Sequence, residues 1–276
     1  MESFSAKIKE ELSKLNNLSN KDLVKAELEG YLSVNSSNQF VTENQYNINR
    51  FGKLLNNIGQ NSYSIEIQGK KFCIKTKKKI KINEEIKTNE QIRAFVRGCF
   101  LASGSVSNPR NLYHLEIIFE NEENALNIKY FLSENEINSK IITREDKYII
   151  YIKEGDSISK FLAFIGASKA VLDFEDMRVI KSVRNNVNRL VNCETANLNK
   201  TISASVKQIE YIKLIKEKHK FDKLSEKEKE LANLRLENED LTLEELGKLL
   251  EPSISKSGVN HRMSNILKFA EELKNK

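Results

Sequence analysis

The chain has 276 residues, of which 30% are charged and 39% hydrophobic, and its formal net charge is +6. This balance is typical of a folded globular protein and excludes an intrinsically disordered chain. The sequence contains no apolar run of the ~18 residues that a membrane span needs, and its first residues lack a signal-peptide core. We therefore expect no membrane partner.

The positions of the cysteines and histidines argue against disulfides and metal sites. Cys73, Cys99 and Cys193 are far apart and form no C-x-x-C pair, which indicates reduced, buried thiols in a cytoplasm. The three histidines share no metal-ligand spacing. We therefore expect no metal or other cofactor, and no pattern in the sequence predicts a small-molecule substrate.

Positive charge is concentrated in two segments. Residues 70–87 carry eight lysines against two glutamates, and residues 178–220 carry ten Lys or Arg against three glutamates. Each segment alone matches or exceeds the surplus of the whole chain. Localised basic charge of this kind predicts a polyanionic partner.

The first predicted elements are helices. Residues 3–15 have apolar residues at the spacing of an amphipathic helix. Two further helices, in the stretches 23–36 and 92–106, each carry a central glycine, Gly30 and Gly98. Because a mid-helix glycine costs ~1 kcal/mol relative to alanine, we infer that another backbone approaches at each glycine. The two helices are therefore predicted to pack together at the centre of a two-fold repeat.

The segments that follow each glycine repeat in the same order. Phe40–Asn44 matches Ile117–Asn121, and Lys71–Lys75 matches Lys147–Tyr151. The central glycine lies 14 residues before the first matched asparagine in one copy and 23 in the other, so the first copy is shorter near its first hairpin. Each copy is predicted to run helix, strands, helix, strand.

The last strand of the first copy, expected over residues 71–82, separates lysines from apolar residues at period two. Its lysines are Lys71, Lys75, Lys77, Lys79 and Lys81. They suit the phosphates of a nucleic acid, and they equally suit an edge strand that lysines protect against aggregation. The matching strand of the second copy, residues 147–153, is less basic on that side.

After the repeat, Gly166 is predicted to end a helix. From residue 176 an apolar helical stripe is surrounded by Arg and Asn, and another helix is expected over residues 204–216. Arg184, Arg189 and Lys200 are candidate phosphate contacts in this stretch. The alternative is a solvated helical linker between domains.

Three helices are predicted at the carboxyl-terminal end. Ser225 with Glu228 and Thr242 with Glu245 form capping boxes for the first two, and the third begins near Ser255 or Ser257. The third helix is basic, as in a helix-turn-helix that enters a major groove, although such bundles also dock proteins. Its candidate DNA-binding residues are Lys256, Ser257, Asn260, His261, Arg262, Ser264, Asn265 and Lys268.

The repeated unit resembles the LAGLIDADG homing-endonuclease fold, in which two such helices pack beneath a saddle of strands. The motif is V-R-G-C-F-L-A-S-G from Val96 and L-E-G-Y-L-S-V-N-S from Leu28. In the nucleases the last acidic residue of each motif holds the catalytic metal. Ser103 and Asn35 occupy these positions here, and neither supplies the anionic oxygen that a hard divalent cation prefers.

The whole chain resembles the WhiA family. The most diagnostic stretches are N-R-L-V-N-C-E-T-A-N-L-N-K from Asn188 and L-G-K-L-L-E-P-S-I-S-K-S-G-V-N-H-R from Leu246. This bacterial family of Gram-positive lineages is known for transcription regulation in sporulation and for cell division and chromosome segregation. The resemblance implies a cytoplasmic, nucleoid-associated protein that binds double-stranded DNA without nuclease activity. Transcription or cell-division proteins are its further expected partners.

The expected fold class is α+β, a pseudo-two-fold LAGLIDADG-like saddle followed by an all-α helix-turn-helix domain. The predicted divisions are residues 1–88 and 89–180 for the two repeats, 181–220 for a basic helical linker and 221–276 for the last domain. Within that domain the helix-turn-helix pair is expected at about 242–275.

The sequence leaves three functions open. The first is a non-enzymatic, sequence-specific DNA-binding protein. The second is a residually active endonuclease, which would need a carboxylate such as Glu29, expected at the start of its helix, to reach a metal. The third is a scaffold for division proteins whose basic patches are incidental.

Overall fold

A computed structural model describes residues 3–34, 39–76, 80 and 86–275. The chain divides into two compact units, Met1–Val183 and Arg184–Lys276. The finer division into two repeats, a linker and a last domain stays a prediction.

The first unit holds two copies of a helix–sheet unit between a leading and a closing helix. Its elements are α1 (Phe4–Ser13), α2 (Lys21–Ser33), β1 (Gln39–Thr42), α3 (Gln45–Asn57), β2 (Tyr63–Gln68), β3 (Lys71–Thr76), α4 (Asn89–Ser103), β4 (Ser105–Val106), β5 (Leu115–Phe119), α5 (Glu122–Glu134), β6 (Lys140–Arg144), β7 (Lys147–Ile152) and α6 (Gly155–Ile165). Helix α7 (Ser168–Glu217) begins in this unit and ends in the second.

The two copies have matching antiparallel sheets. Strands β1-β3-β2 form the first and β4-β5-β7-β6 the second, so β5-β7-β6 repeats the order of the first sheet. The predicted order of helix, strands, helix, strand was wrong at its end, because a hairpin of two strands follows the second helix in each copy. The missed strands, β2 and β6, are sheet edges with little buried surface.

Helices α2 and α4 pack together at their glycines, as predicted. A Cβ atom on Gly30 would overlap the carbonyl oxygen of Phe95, and one on Gly98 would overlap the carbonyl oxygen of Glu27. Phe95 precedes Gly98 by three residues, as Glu27 precedes Gly30. Each helix therefore meets the other through the same positions, which is the signature of a pseudo-two-fold axis.

The carboxyl ends of this helix pair are capped across the axis. Asn47 of α3 donates its amide to the carbonyl oxygen of Leu101 at 2.7 Å. Asn124 of α5 donates in the same way to the carbonyl oxygen of Ser33, also at 2.7 Å. Because the last carbonyls of a helix lack intrahelical partners, these bonds satisfy one buried group, Leu101 O, and one partly buried group, Ser33 O. Each copy thus completes the central helix of the other.

A charged cluster lies within the same core. The Glu27 carboxylate accepts from Arg50 of α3 through both oxygens and from Nε of Arg97 of α4 at 2.9 Å. Glu27 and Arg50 are each 1% exposed and Arg97 is 7% exposed. Arg50 also donates to Leu15 O at 3.0 Å, and Arg97 donates to Ile165 O at 3.2 Å. The cluster therefore links the glycine helices to the segment that follows α1 and to the end of α6.

Helix α6 ends where predicted, at Gly166, whose φ of 92° is the left-handed conformation that glycine favours. The carboxylate of Glu11 then accepts from the backbone N–H groups of Lys169 at 2.7 Å and Ala170 at 2.9 Å, at the start of α7. The separate helices predicted after Gly166 are instead one continuous helix of 50 residues.

In the second unit the end of α7 packs with α8 (Glu226–Glu237), α9 (Leu243–Leu249) and α10 (Lys256–Lys274). Ile212 and Ile215 of α7 are fully buried in its core, so the helix predicted over residues 204–216 packs with the three helices predicted at the carboxyl-terminal end. Both predicted capping boxes are present at the starts of α8 and α9. The buried Arg235 donates to the carbonyl oxygen of Leu241 at 2.7 Å and so fixes the connection between α8 and α9.

Candidate nucleic-acid interface

Helices α9 and α10 form a tight helix–turn–helix pair. The N–H of Ile254 donates to the carbonyl oxygen of Gly247 at 3.0 Å. A Cβ atom on Gly247 would overlap the carbonyl oxygen of Ile254, so only glycine fits where the turn meets α9. Ser255 then caps α10, its hydroxyl accepting from Gly258 N at 3.3 Å.

Helix α10 has one buried face and one polar face. Val259, Met263, Ile266 and Ala270 are buried against the unit's core, as the spacing predicted. Of the candidate DNA-binding residues, the exposed ones are Lys256, Ser257, Asn260, His261, Asn265 and Lys268. Arg262 and Ser264 are half-buried. The structure therefore brings all eight candidates onto one helix.

Glu228 of α8 interacts with two of the polar residues of α10, Asn265 and His261. Burial alone would raise the pKa of Glu228, but hydrogen bonds from the Ser225 side chain and backbone, a hydrogen bond from Asn265 and the charge of His261 together lower it. Asn265 and His261 therefore face the start of α8. Asn260 makes no comparable contact within the described part of the chain, which leaves its amide free for a ligand.

The charge of α10 contrasts with that of its neighbours. Residues 255–269 carry three positive charges and no acidic residue, whereas α8 and α9 begin with glutamates in their first turns. A polyanion that approaches this unit is therefore attracted to α10 and repelled by the starts of the other two helices.

The five basic residues of α7 between positions 178 and 200 fall into two groups. Arg178 and Lys181 contact residues of the first unit. Arg178 Nη2 lies 2.5 Å from Asp156 Oδ1, and Lys181 Nζ lies 2.8 Å from Asn111 O. Arg184, Arg189 and Lys200 are exposed, and none has an ion-pair partner among the residues that the structure describes. The three candidate phosphate contacts of this helix are thus accessible.

The structure describes the first part of the lysine-bearing strand that was predicted over residues 71–82. Strand β3 is described from Lys71 to Thr76, and Lys77, Lys79 and Lys81 lie outside the described residues. Lys71 is exposed. Lys75 pairs with Glu66 of β2 at 2.7 Å, and this hydrogen bond and the charge of Glu66 raise the pKa of Lys75. Of these two lysines, Lys71 is the one without a neutralising partner in the described residues.

The outer face of the second sheet is a basic surface that the sequence prediction missed. Register pairs Lys140 with Tyr151 and Arg144 with Lys147, on the side opposite the fully buried Ile150 and Ile152 of β7. Lys153 lies over the Tyr151 ring, 5.0 Å from its centroid. Lys140 and Arg144 were missed because β6 was not recognised. The signal was its K-I-I-T-R run, followed by Glu-Asp and a second strand.

The degenerate metal positions are only partly described. The Ser103 hydroxyl accepts from Ile118 N at 3.2 Å and donates to Cys99 O at 3.5 Å, so it is bound within its own copy. Asn35 lies outside the described residues. Glu29 lies one turn before the end of α2 and not at the helix start, since α2 begins at Lys21.

Glu29 also lies close to Cys99 of α4. Burial, and to a smaller extent the charge of Glu29, raises the pKa of the Cys99 thiol to about 12. Within the described residues no group of three or more His, Cys, Asp or Glu side chains is placed to hold a metal ion. None of the described helices is both long and apolar enough to cross a membrane.

The first unit, with two helix–sheet copies around a pair of glycine helices, has the architecture of a LAGLIDADG-like domain. The second unit contains a helix-turn-helix, which is a DNA-binding type of domain. The WhiA LAGLIDADG-like domain model matches residues 92–184, and the WhiA C-terminal HTH domain model matches residues 187–270. The chain belongs to the WhiA family.

Curated relatives share about half of their matched residues with this chain. The probable cell division protein WhiA of Clostridium acetobutylicum is 51% identical over 182 residues, which are 66% of this chain and 57% of the relative. That of Clostridium botulinum strain Eklund 17B is 49% identical over 182 residues, 66% of this chain and 58% of the relative. The matched region thus spans less than two thirds of these relatives.

Solved structures extend the likeness along the chain. The crystal structure of full-length DUF199/WhiA from Thermatoga maritima is 29% identical, with a TM-score of 0.62, and the match covers 98% of this chain and 99% of that one. The N-terminal LAGLIDADG domain of DUF199/WhiA is 27% identical, with a TM-score of 0.54, over 60% of this chain and 94% of that one.

Proposed function

We propose that this chain is a non-enzymatic, sequence-specific DNA-binding protein that regulates transcription in cell division and chromosome segregation. The observation that carries the proposal is the exposed, basic face of α10, which lies beside two helices that begin with glutamates. Double-stranded DNA is its polyanionic partner, so the protein acts on the nucleoid in the cytoplasm. Transcription or cell-division proteins are its further partners.

The candidate residues divide into two roles. Asn260 offers an amide that can hydrogen-bond the edge of a base, and its place in the second turn of α10 suits a recognition helix. Arg189 and Lys200 offer charges that suit phosphates and carry no sequence information directly. We therefore assign specificity to α10 and a share of the affinity to α7 and to the exposed lysines of the two sheets.

A salt titration separates these roles. The full chain would first select its preferred duplex from a random library, and binding would then be measured on that duplex and on a scrambled one. Asn260→Ala is expected to lose ~1–3 kcal/mol on the selected duplex and little on the scrambled one. The double variant Arg189→Ala/Lys200→Ala should weaken both duplexes alike and make the log–log salt slope shallower by about 0.9 for each phosphate interaction removed.

A second double variant controls for the removal of charge. Lys229 and Lys248 each pair with a glutamate of their own helix, at 2.8 Å and 3.2 Å, so Lys229→Ala/Lys248→Ala removes two charges that are already neutralised. This control should leave the salt slope near that of the parent. If Asn260→Ala and Arg189→Ala/Lys200→Ala both bind DNA like the parent, the DNA-binding proposal fails and a scaffold role is favoured.

Nuclease activity is not expected. With serine at position 103 and asparagine at position 35, the two helix ends lack the carboxylates that would bind Mg²⁺ or Mn²⁺. Supercoiled plasmid incubated with the purified chain and either metal should remain uncut. The variant Glu29→Ala separates a contaminant from a residual activity: cleavage that survives repurification and disappears in this variant would show an active endonuclease.

A further inference from the structure

Glu228 binds both its own helix and α10. Its Oε2 accepts from the backbone N–H of Ser225 at 3.0 Å and from the Ser225 hydroxyl at 2.8 Å. These bonds belong to the capping box and fix the carboxylate at the start of α8. Because both end on Oε2, Oε1 is left for a further donor, and the side chain of Asn265 donates a hydrogen bond to this carboxylate.

Asn265 belongs to the exposed side of α10. Ser257, His261, Asn265 and Lys268 are all exposed, and their spacings of four, four and three residues place them along one side of the helix. This side begins in the first turn of α10, at the end that enters the major groove in a helix-turn-helix. Glu228 therefore acts on a side chain of the candidate interface.

The chemistry of a carboxylate determines which atom of Asn265 faces it. Although burial raises the pKa of Glu228, the hydrogen bonds from Ser225 and Asn265 hold it below its ordinary value, so the carboxylate is ionised at neutral pH. An ionised carboxylate accepts hydrogen bonds and donates none, so the Asn265 amide turns Nδ2 towards Glu228. The amide oxygen, Oδ1, then points away from α8.

We infer that Glu228 is a positioning residue for base recognition, an inference that rests on the proposed DNA-binding function. It holds the Asn265 amide so that α10 presents an acceptor, Oδ1, to the major groove. In that groove adenine and cytosine carry amino groups, whereas guanine and thymine carry carbonyl oxygens. Asn265 therefore selects the amino group of adenine or cytosine at the base pair that it contacts.

Deletion of single base groups tests which group Asn265 contacts. The full chain first selects a duplex from a random library, and Asn265→Ala identifies the contacted base pair because the preference at that pair disappears. Every base pair has one amino group and one carbonyl oxygen at its major-groove edge. Replacing that amino group by hydrogen should weaken binding of the parent about 10-fold and leave binding of Asn265→Ala nearly unchanged.

Glu245 provides a matched control for helix capping. It forms the same box with Thr242 at the start of α9. Hydrogen bonds from the backbone and side chain of Thr242, and the charge of Lys248, lower the pKa of Glu245, so these partners belong to α9 and its cap. A capping box accepts glutamine in place of glutamate, so Glu228→Gln and Glu245→Gln should both keep their caps. Circular dichroism will verify that both variants fold like the parent.

The two variants are expected to differ in how they read the base. In Glu228→Gln the one side-chain oxygen accepts from Ser225, so an N–H faces Asn265 and the amide is no longer held by its nitrogen. The penalty for deleting the amino group should then fall from about 10-fold to about twofold or less. Binding to a scrambled duplex should not weaken, because a negative charge has been removed. Glu245→Gln should keep the penalty of the parent.

The outcomes separate this inference from the proposed function. A parent chain that selects no sequence overturns both. A parent that selects a sequence but is sensitive to the carbonyl oxygen of the contacted pair, and not to its amino group, overturns the inference alone. The same holds if Asn265→Ala keeps every preference of the parent, if Glu228→Gln keeps the full penalty, or if Glu245→Gln loses it equally.

Discussion

Gly30→Leu and Gly98→Leu are each expected to unfold the first unit or to lower its stability severely. At both positions even a Cβ atom would overlap a carbonyl oxygen of the facing helix, and backbone atoms cannot rotate away as a side chain can. Core overpacking costs ~1–3 kcal/mol where neighbours can shift, and these neighbours are helix backbone, so the cost should reach or exceed that range. Urea unfolding followed by circular dichroism measures it.

The alanine variants provide the matched comparison. Gly98→Ala adds the single atom that overlaps Glu27 O, whereas Gly258→Ala in α10 adds an atom at ordinary contact distance, 3.4 Å or more from Ile254. The first should destabilise, and the second should be neutral or stabilise by up to ~1 kcal/mol, because alanine is the better helix former. A Gly98→Leu protein that melts like the parent would show that α2 and α4 do not pack closely.

Glu27→Gln is expected to cost ~3–5 kcal/mol, because it leaves the charges of Arg50 and Arg97 buried without a counter-ion. The same substitution at Glu66, whose pair with Lys75 is exposed to solvent, should cost much less. Unfolding free energies of the two variants, measured side by side, separate a buried charge network from a surface one. Equal costs would mean that Glu27 is solvated in the folded chain.

The Glu27 network also predicts a pH dependence. Burial alone would raise the pKa of Glu27, but the hydrogen bonds and charges of Arg50 and Arg97 lower it below its ordinary value. A lowered pKa contributes stability that is present above the unfolded-state value of ~4.3 and lost as the pH falls towards the folded-state value. The stability gap between the parent and Glu27→Gln should therefore narrow below about pH 4. A gap that stays constant on acidification contradicts this assignment.

The features that could be predicted from the sequence are those determined by a few neighbouring residues. A glycine in a helix interior is costly enough to indicate a close approach, and the capping boxes at Ser225 and Thr242 are four-residue patterns that need no tertiary information. The features that were missed depend on distant partners. Glu27 lies 23 residues from Arg50 and 70 from Arg97, so no window around any of them indicates burial.

The candidate interface divides in the same way. The basic face of α10 could be predicted because its basic residues and its regularly spaced apolar residues lie in one continuous stretch of sequence. The interaction of Asn265 with Glu228 was not, because it joins α8 to α10 across the unit. Likewise, the continuity of α7 was hidden by polar residues around position 200, which resemble a break when tertiary context is absent.

The asparagine caps at the carboxyl ends of α2 and α4 bear on how the first unit unfolds. Asn47 and Asn124 each close a helix that belongs to the opposite copy. If one copy opened alone, it would leave a buried carbonyl of the other without its donor, at a cost of ~1–3 kcal/mol in addition to that of separating the two helices. Opening one repeat alone thus raises the free energy of the repeat that remains folded. We therefore expect the two copies to melt in a single cooperative transition.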